Sequence, residues 1–331
     1  MLKIAINGFG RIGRTALRLL EDDKDIEVVA INDLTDPLQL AYLYKYDSVH
    51  RTNKSKISFD EDELFVKNRK IKVFAEPDPS KLPWKELGVD IVLECTGVFT
   101  SVEKCQAHID AGAKHVIISA PAKDEAKTIV YGVNDKILSK DDVVISAASC
   151  TTNCLAPVLK LIDDKYGIKK GFMTTVHAMT NDQETLDIPH KKGITSRRGR
   201  AASLNIIPTS TGAASQIGKV IPHLNGKLDG IALRVPVGDG SVIDVTLELS
   251  KKVTKEDVNN MFKSNQSKTI KYTDDPIVSS DIIGEKCGAI VDGLLTNVVE
   301  EGGSQLLKVV AWYDNEVGYT AQMIRTMKLF L

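Results

Sequence analysis

Short apolar runs separated by helical patterns organise the first half of the chain. The runs are typical of strands, and they cover residues 2–6, 26–31, 89–95, 115–119, 128–131 and 143–145. Helical patterns stand between them at residues 14–20 and 102–111. Near-continuous apolar strands are typical of a parallel sheet that is covered on both faces. The alternation therefore predicts a doubly wound α/β domain.

The pattern changes after residue 150. Longer alternating runs predict strands at residues 171–178, 228–235, 241–249, 289–291 and 306–312. Helical patterns are few in this half, at residues 210–220 and 255–262, which predicts an α+β domain with a mixed or antiparallel sheet. We therefore expect a first domain at residues 1–149, completed by a C-terminal helix at 316–331, and a second domain at 150–315.

Composition limits the classes of protein to which the chain can belong. A hydrophobic fraction of 43% and a charged fraction of 26% are those of a soluble globular protein. The net charge of −1 offers no strong field for nucleic acid or an anionic membrane. No apolar segment approaches the roughly 20 residues of a membrane span, and the first apolar run is too short for a signal peptide. Five cysteines without framework spacing indicate a reducing compartment, so we expect a cytoplasmic protein.

A glycine motif follows the first predicted strand directly. Gly8, Gly10 and Gly13 open the next helix, and Asp33 stands 20 residues after Gly13 at the end of the second strand. In a Rossmann-type unit such glycines provide a tight turn, close approach of the pyrophosphate and helix packing, while the acid binds the ribose hydroxyls. An acid there repels a 2′-phosphate, which favours NAD over NADP. A glycine motif alone is often only a tight turn, but the surrounding strands, helix and acid predict a dinucleotide site.

Cys150 is the candidate nucleophile. It lies between an apolar run and a helical pattern, in the first predicted turn of the helix, with Ser149 as a candidate N-cap. Unpaired backbone N–H groups and the positive end of the helix dipole favour the thiolate there. The alternative is a buried structural cysteine, which is the commoner fate of this residue type. Cys154 follows one turn later, but no histidine or cysteine stands at ligand spacing nearby, so no metal site is expected.

Two polar stretches of the second half are candidates for anion binding. A long polar segment begins at Thr180 and contains the basic cluster Arg197, Arg198 and Arg200. The alternative for these arginines is a solvated run of charge. Residues 208–214 form a hydroxyl-rich turn before a helical pattern, which is an arrangement that binds anions.

Together these motifs resemble those of the phosphorylating glyceraldehyde-3-phosphate dehydrogenase family. The resemblance runs, in the family's order, through residues 7–14, 148–154, 208–214, 225–228, 234–237 and 312–316. It implies a glycolytic, NAD-dependent oxidoreductase that converts D-glyceraldehyde 3-phosphate and inorganic phosphate to 1,3-bisphosphoglycerate. By the same resemblance Cys150 forms a thiohemiacetal and then a thioester, and His177 is the general base.

The resemblance also implies which residues bind the ligands. Thr180 and Arg234 are expected at the substrate phosphate, together with Arg198, although the loop at residues 191–196 is longer than the family's usual spacing. The attacking phosphate is expected to meet Ser149, Thr151, Thr211 and Gly212. The expected NAD-binding residues are Gly8, Gly10, Arg11, Ile12, Gly13, Asp33, Thr96, Gly97, Ser119 and Asn315.

Two further positions bear on the cofactor and on assembly. Pro77 stands where many relatives carry a basic residue near the adenine, which implies slightly weaker NAD binding. Ile188 and Pro189 resemble the apolar-proline pair of NAD-specific members, where a neighbouring subunit's loop meets the adenosine end. This resemblance implies a homotetramer.

Two alternative functions stay open. Erythrose-4-phosphate dehydrogenase shares the fold, the cysteine and the histidine, although Thr180, Thr211 and Gly212 follow the phosphorylating pattern. A non-catalytic nucleotide-binding or RNA-binding role is the second alternative. The presence of both Cys150 and His177, and a net charge near zero, argue against it.

Overall fold

The computed structural model describes residues 1–190 and 193–331, and these residues divide into two units. The first unit contains Met1–Ile129, Asp135–Ser149 and Met323–Leu331. The second contains Val130–Asn134 and Cys150–Gln322. In the part of the chain that is described, no helix combines the length and the apolar character needed to cross a membrane.

A mostly parallel sheet forms the centre of the first unit. Its strands are β1 (Leu2–Asn7), β2 (Ile26–Asn32), β3 (Ile57–Asp60), β4 (Glu63–Val66), β5 (Arg69–Phe74), β6 (Ile91–Glu94), β7 (His115–Ile118), β8 (Lys127–Thr128) and β9 (Val144–Ser146). The helices are α1 (Arg11–Leu20), α2 (Pro37–Lys45), α3 (Trp84–Leu87) and α4 (Val102–Asp110). The strand order is β3-β4-β5-β2-β1-β6-β7-β9-β8, and only the β3-β4 and β4-β5 pairs are antiparallel. This arrangement confirms the predicted α/β class.

The central strands are apolar because both of their faces are covered. Ile4, Ala5 and Ile6 of β1 are fully buried, and so are the first three residues of β6. A strand covered on one face only would alternate apolar and polar residues. Both strands are therefore central strands of the sheet. They pair in parallel, so that their carboxyl ends lie side by side.

The strand predicted at residues 128–131 is mostly absent. Strand β8 contains only Lys127 and Thr128, which pair with the last residues of β9 at the edge of the sheet. Ile129 and Val130 are buried although they lie outside the strand. Apolar residues buried outside regular structure give the same local pattern as a buried strand, which is why the prediction was wrong.

A mixed sheet forms the centre of the second unit, as predicted. Its strands are β10 (Ile168–His177), β11 (Ile207–Ser210), β12 (Leu228–Arg234), β13 (Ser241–Leu249), β14 (Ile270–Thr273), β15 (Ala289–Asp292), β16 (Asn297–Glu301) and β17 (Ser304–Tyr313). The helices are α5 (Cys150–Tyr166), α6 (Ala213–Val220) and α7 (Lys255–Ser264). Helix α8 (Val317–Met327) begins in this unit and ends in the first, since the division falls between Gln322 and Met323. The strand order is β11-β12-β10-β13-β17-β15-β14, and β16 pairs with β17.

Three short strands of this sheet, β11, β14 and β16, were not predicted from the sequence. The predicted hydroxyl-rich turn begins in strand β11, which pairs antiparallel with β12 at the sheet edge. Pro208 lies within this strand, and an edge strand is where proline is tolerated. Strand β16 is polar and largely exposed, and β14 alternates over only four residues, which is too short a run to stand out. Helix α6 consequently begins at Ala213 and not at residue 210.

The pairing of β10 with β12 sets the positions of two site residues. The two strands are parallel, and His177 lies directly opposite Arg234 at their carboxyl ends. Across the sheet, β13 pairs antiparallel with β17, so that Ser241 lies opposite Tyr313. The end of the sheet therefore carries an imidazole, a guanidinium and a phenol.

We expect Gly13→Ala to destabilise the first unit. A Cβ at Gly13 would overlap the carbonyl oxygen of Gly8, so α1 would have to move away from the preceding loop. Overpacking of this kind costs about 1–3 kcal/mol. Gly10→Ala is the matched control, because a Cβ there meets nothing within 4 Å. Its cost at the helix N-cap should stay below about 1 kcal/mol. Urea unfolding of the two variants without cofactor measures the difference, and equal losses would contradict the packing argument.

Candidate active site

A cavity of about 430 Å³ lies at the carboxyl ends of the parallel strands of the first unit. Its wall contains Asn7, Gly8, Gly10, Asn32, Asp33, Leu34, Glu76, Pro77, Pro79, Cys95, Thr96, Val98 and Phe99. Ligands bind at this edge of open α/β sheets, and the volume is within the usual range for small-molecule sites. Four of the expected NAD-binding residues belong to the wall: Gly8, Gly10, Asp33 and Thr96.

The glycine loop leaves bare backbone facing the cavity. Gly8 has φ +90°, and a Cβ there would come within 2.7 Å of the Thr96 backbone nitrogen. Gly10 lines the cavity, and a Cβ there would project into open space. A pyrophosphate can approach such a loop closely, since N–H groups at a helix start bind anions. The loop therefore fits a dinucleotide.

Asp33 is fixed by the same loop. One carboxylate oxygen accepts a hydrogen bond from the Phe9 N–H at 2.8 Å, and the other accepts one from the Thr35 N–H at 3.0 Å. A carboxylate oxygen has two acceptor sites. Each oxygen can therefore accept a further hydrogen bond from a ribose hydroxyl while it still holds the loop.

The other residues of this unit that were expected to bind NAD do not belong to the described part of the cavity wall. Arg11 forms an ion pair with Asp47 at 2.5 Å. Ile12 and Gly13 belong to α1. Gly97 has φ +72°, and Ser119 donates its backbone N–H to the Glu94 carbonyl.

Asn7, Asn32 and Glu76 belong to the cavity wall but were not expected there. All three lie at or just beyond the carboxyl ends of parallel strands. That position is itself a signal, because such ends converge on one edge of the sheet. Asn7 and Asn32, which end predicted strands, could therefore have been identified from the sequence as candidates for the cavity wall.

In the second unit Cys150 and His177 lie together. Helix α5 begins at Cys150, as expected, and the Cys150 Sγ is 3.3 Å from the His177 Nε2. Two residues earlier Ala148 has φ +59°, a conformation that a non-glycine residue rarely adopts and that is concentrated at functional sites. The geometry brings a thiol within proton-transfer reach of an imidazole.

The tautomer of His177 follows from its neighbours. Nδ1 lies 2.8 Å from the Ala178 carbonyl oxygen and 2.9 Å from the Arg234 Nη1. The two hydrogens of Nη1 already have acceptors, the Ala178 oxygen at 3.1 Å and the Thr180 hydroxyl at 2.9 Å. We therefore assign the ring proton to Nδ1, which donates to Ala178. Nε2 then carries the lone pair that faces the cysteine.

The electrostatics of the pair correct one expectation. Burial raises the pKa of the Cys150 thiol, and the charge of Arg234 and hydrogen bonds from Thr151 only partly oppose this effect. Burial, reinforced by the charge of Arg234, lowers the pKa of His177 to about 3. The helix start was expected to favour a thiolate, but desolvation outweighs it. The resting pair is a neutral thiol beside a neutral imidazole.

A buried hydroxyl cluster supports the nucleophile. The Tyr313 hydroxyl lies 2.9 Å from the Thr151 Oγ1 and 2.8 Å from the Thr175 Oγ1. Its ring meets the His177 imidazole edge to face, with centroids 6.0 Å apart. Thr151 was expected at a phosphate, whereas its side chain faces Tyr313 and the sulfur of Cys150. Tyr313 was missed because no spacing rule links it to Cys150.

Arg234, Thr180 and Arg198 belong to one polar cluster, with Asp182 among them. Thr180 accepts from Arg234 and donates to Asp182, and Asp182 also pairs with Arg198. Burial and the charge of Arg234 lower the pKa of Arg198 to about 10. The two guanidinium groups and the hydroxyl can bind an anion that displaces Asp182 from Arg198.

Of the remaining phosphate candidates, Thr211 and Gly212 belong to this unit, whereas Ser149 ends a segment of the first unit. Thr211 accepts a hydrogen bond from the Ala213 N–H at 3.2 Å, and Gly212 is the N-cap residue of α6. A polar hollow of about 270 Å³ borders Arg198 and Ser210. Lys191 and Lys192 begin the loop that is longer than the family's usual spacing, and they lie outside the described residues.

Asn315 is buried, and its side-chain oxygen accepts a hydrogen bond from the Ser241 hydroxyl at 2.6 Å. This contact orients the amide, so that its nitrogen is the group that can donate to a ligand. Ser241 was not expected from the sequence.

A cavity at the strand ends of an α/β unit and a thiol held against an imidazole are the features expected of an NAD-dependent oxidoreductase with a cysteine nucleophile. Comparison with known proteins agrees with this class. The family described as glyceraldehyde 3-phosphate dehydrogenase, NAD binding domain, matches residues 2–102, and its C-terminal domain matches residues 149–315. The chain belongs to the glyceraldehyde-3-phosphate dehydrogenase family.

Individual relatives cover the whole chain. The glyceraldehyde-3-phosphate dehydrogenases of Clostridium acetobutylicum and Clostridium pasteurianum are each 56% identical over 330 residues, which is 100% of this chain and 98% of each relative. The enzyme of the same name from Lactobacillus delbrueckii subsp. bulgaricus is 54% identical over 334 residues, covering 99% of this chain and 98% of that relative.

We expect His177→Asn to slow alkylation of Cys150 by iodoacetamide at pH 7 about tenfold or more. The reason is that burial raises the pKa of the thiol and His177 Nε2 is the base within reach. The thiolate fraction then rises only at higher pH, so the midpoint of the rate profile moves upward.

His223→Asn is the matched control, because His223 is exposed and pairs with Asp163. Peptide mapping identifies the alkylated cysteine. An unchanged pH profile in His177→Asn would exclude His177 as the base.

Proposed function

We propose that the chain oxidises and phosphorylates D-glyceraldehyde 3-phosphate to 1,3-bisphosphoglycerate, with NAD and inorganic phosphate. The observation that carries the proposal is the line of contacts from Cys150 through His177 to Arg234 and Thr180. It combines a nucleophile, a base and a guanidinium for a phosphate within one unit. Erythrose-4-phosphate is the alternative substrate.

Covalent catalysis begins with the sulfur. His177 Nε2 takes the Cys150 proton, and the sulfur adds to the aldehyde carbon to form a thiohemiacetal. The proton then passes from Nε2 to the new oxyanion, which the backbone N–H groups at the start of α5 stabilise. His177 is neutral again and ready to act as a base.

Oxidation and release use the same imidazole. NAD, when bound, supplies the hydride acceptor. His177 takes the hydroxyl proton as the hydride leaves the carbon, and a thioester to Cys150 results. Inorganic phosphate attacks the thioester carbon, the carbon–sulfur bond breaks, and the sulfur regains a proton from His177. The product is the acyl phosphate.

Two phosphates have separate sites in this proposal. Arg234, Thr180 and Arg198 hold the substrate phosphate, which replaces Asp182 as the partner of Arg198 and Thr180. The attacking phosphate meets Ser149, Thr211, Gly212 and the N–H of Thr151. The dianion near Arg234 also reduces the cost of charging His177, since the guanidinium is one cause of its low pKa.

The residues proposed to bind NAD are Gly8, Gly10, Arg11, Ile12, Gly13, Asp33, Thr96, Gly97, Ser119 and Asn315. Asp33 favours NAD over NADP because a 2′-phosphate would meet its charge. Asn315 would donate to the carboxamide of the nicotinamide. In this proposal residues 1–149 with the helix at 316–331 are the NAD domain, and residues 150–315 are the catalytic domain.

We also propose a cytoplasmic homotetramer. The solvent face of the second unit's sheet carries exposed apolar side chains, among them Phe172, Ile231 and Leu306, at 72%, 49% and 46% exposure. Strand register puts these residues on one face. Apolar surface of this kind supports a protein interface. Light scattering measures the mass in solution, and a monomer at micromolar concentration would overturn the assignment.

The function is tested by following NADH formation with each aldehyde, with and without inorganic phosphate. We expect product formation only with the triose phosphate, NAD and phosphate together. Cys150→Ser should abolish oxidation while NAD binding, measured by calorimetry, survives. Rates that are unchanged without phosphate would exclude the acyl-phosphate step. A preference for erythrose 4-phosphate would favour the alternative substrate.

Arg234→Ala should raise the KM for the triose phosphate about 10- to 100-fold, because a charged hydrogen-bonding partner is lost. The KM for NAD should change much less. Arg200→Ala is the matched control, since Arg200 is exposed and paired with Asp187. Equal increases of both KM values in Arg234→Ala would remove Arg234 from the phosphate site.

A further inference from the structure

A buried carboxylate lies beneath the cofactor cavity of the first unit. Glu94 ends strand β6 and is 1% exposed. Four donors meet its two oxygens: the Asn7 amide at 2.6 Å, the His108 Nε2 at 3.2 Å, the Thr96 N–H at 2.8 Å and the Thr96 hydroxyl. A carboxylate has about four acceptor sites, so the ionised form is fully hydrogen-bonded.

His108 serves this carboxylate as a donor. The Trp84 Nε1, which can only donate, lies 3.1 Å from the His108 Nδ1. Nδ1 must therefore accept, and the ring proton is on Nε2, facing Glu94. The side chains of His108 and Glu94 are completely buried. Trp84 thus fixes the tautomer that the carboxylate needs.

One arm of the network crosses three parallel strands. The Asn7 amide donates to Glu94, so its oxygen can accept from the Asn32 amide at 2.7 Å. Asn32 in turn accepts from the Glu76 N–H at 2.9 Å and donates to the Glu76 carbonyl oxygen at 2.9 Å. The Glu76 backbone orients the Asn32 amide from one end of this arm, and an ionised Glu94 accepts from the Asn7 amide at the other, so both ends favour the same orientation.

The other arm holds the turn after β6. The Thr96 hydroxyl donates to Glu94 and accepts from the Val98 N–H at 3.0 Å. Asn7, Asn32, Glu76, Thr96 and Val98 all belong to the cavity wall. Both arms therefore end on groups that would surround the cofactor.

We propose that Glu94 is a positioning residue for NAD: its buried charge aligns both arms and so fixes opposite parts of the cavity wall before the cofactor binds. The proposal rests on the NAD site of the proposed function. Pre-organised polar groups cost no reordering on binding, which increases affinity. Glutamine cannot replace Glu94, because its NH₂ group would face donors whichever way the amide is turned.

Calorimetric titration of Glu94→Gln with NAD tests the proposal. We expect the Kd for NAD to rise about tenfold, while kcat and the KM for the aldehyde stay within about twofold. Glu63→Gln is the matched control: Glu63 is also buried in this sheet, but it pairs with Lys70 and Lys72 and should leave the Kd unchanged. A folded Glu94→Gln protein with the original Kd for NAD overturns the proposal.

His108 provides a second pair of variants if Glu94→Gln does not fold. His108 is absent from the described residues of the cavity wall, but its ring packs edge to face against Phe99 of that wall. Both substitutions below remove this ring, so a difference between the two variants reports the hydrogen-bond network. His108→Gln keeps a donor for Glu94 and an acceptor for Trp84, and should bind NAD nearly as well as the original protein. His108→Leu should raise the Kd severalfold; equal Kd values for these two variants overturn the proposal.

The binding readout separates this proposal from the proposed function. NAD titration does not require turnover, so a chain that binds NAD but does not oxidise the aldehyde leaves the test of Glu94 intact. If the original protein does not bind NAD, the proposed function fails first. Thermal unfolding of each variant without NAD distinguishes loss of fold from loss of alignment.

Discussion

The parallel pairing of β10 with β12 is the constraint on which the candidate site of the second unit depends. It places His177 opposite Arg234, and in this register Arg234 donates to the Ala178 carbonyl and the Thr180 hydroxyl. A slip of one residue would turn the side chains of a strand to the other face. Gly230 maintains the pairing, because a Cβ there would overlap the Met173 carbonyl oxygen on β10. The geometry of the base thus follows from backbone pairing.

Burial sets the charge state of Cys150 and His177. Desolvation holds both Cys150 and His177 in their neutral forms, with Arg234 adding to the effect at the histidine. A neutral imidazole with a lone pair toward the sulfur is the form that a general base requires. The site therefore favours transfer of one proton within the pair over storage of a permanent thiolate. An anion at the arginines changes this balance, since it offsets the positive field at His177.

The sequence could predict the features whose chemistry is local. The glycine loop, Asp33, and the start of a helix at Cys150 each depend on neighbouring residues, and the structure has all three. It could not predict Tyr313 or Asp182, because they reach the site through sheet pairing and loop packing over long separations. The neutral resting thiol was missed for a related reason. A helix start can be recognised from a local pattern, whereas the desolvation that outweighs it depends on the complete fold.

In both units a buried histidine has its tautomer fixed by hydrogen bonds to neighbouring groups. In the second unit backbone carbonyls and hydroxyls fix the tautomer of His177; in the first, Trp84 fixes that of His108. Hydrogen-bonded chains of this kind have one orientation only if a group at one end cannot reverse. Tryptophan, a carboxylate and a backbone carbonyl are such groups, since each is only a donor or only an acceptor. An amide or hydroxyl in their place would admit two orientations, and the ordering of the site would then have to accompany ligand binding.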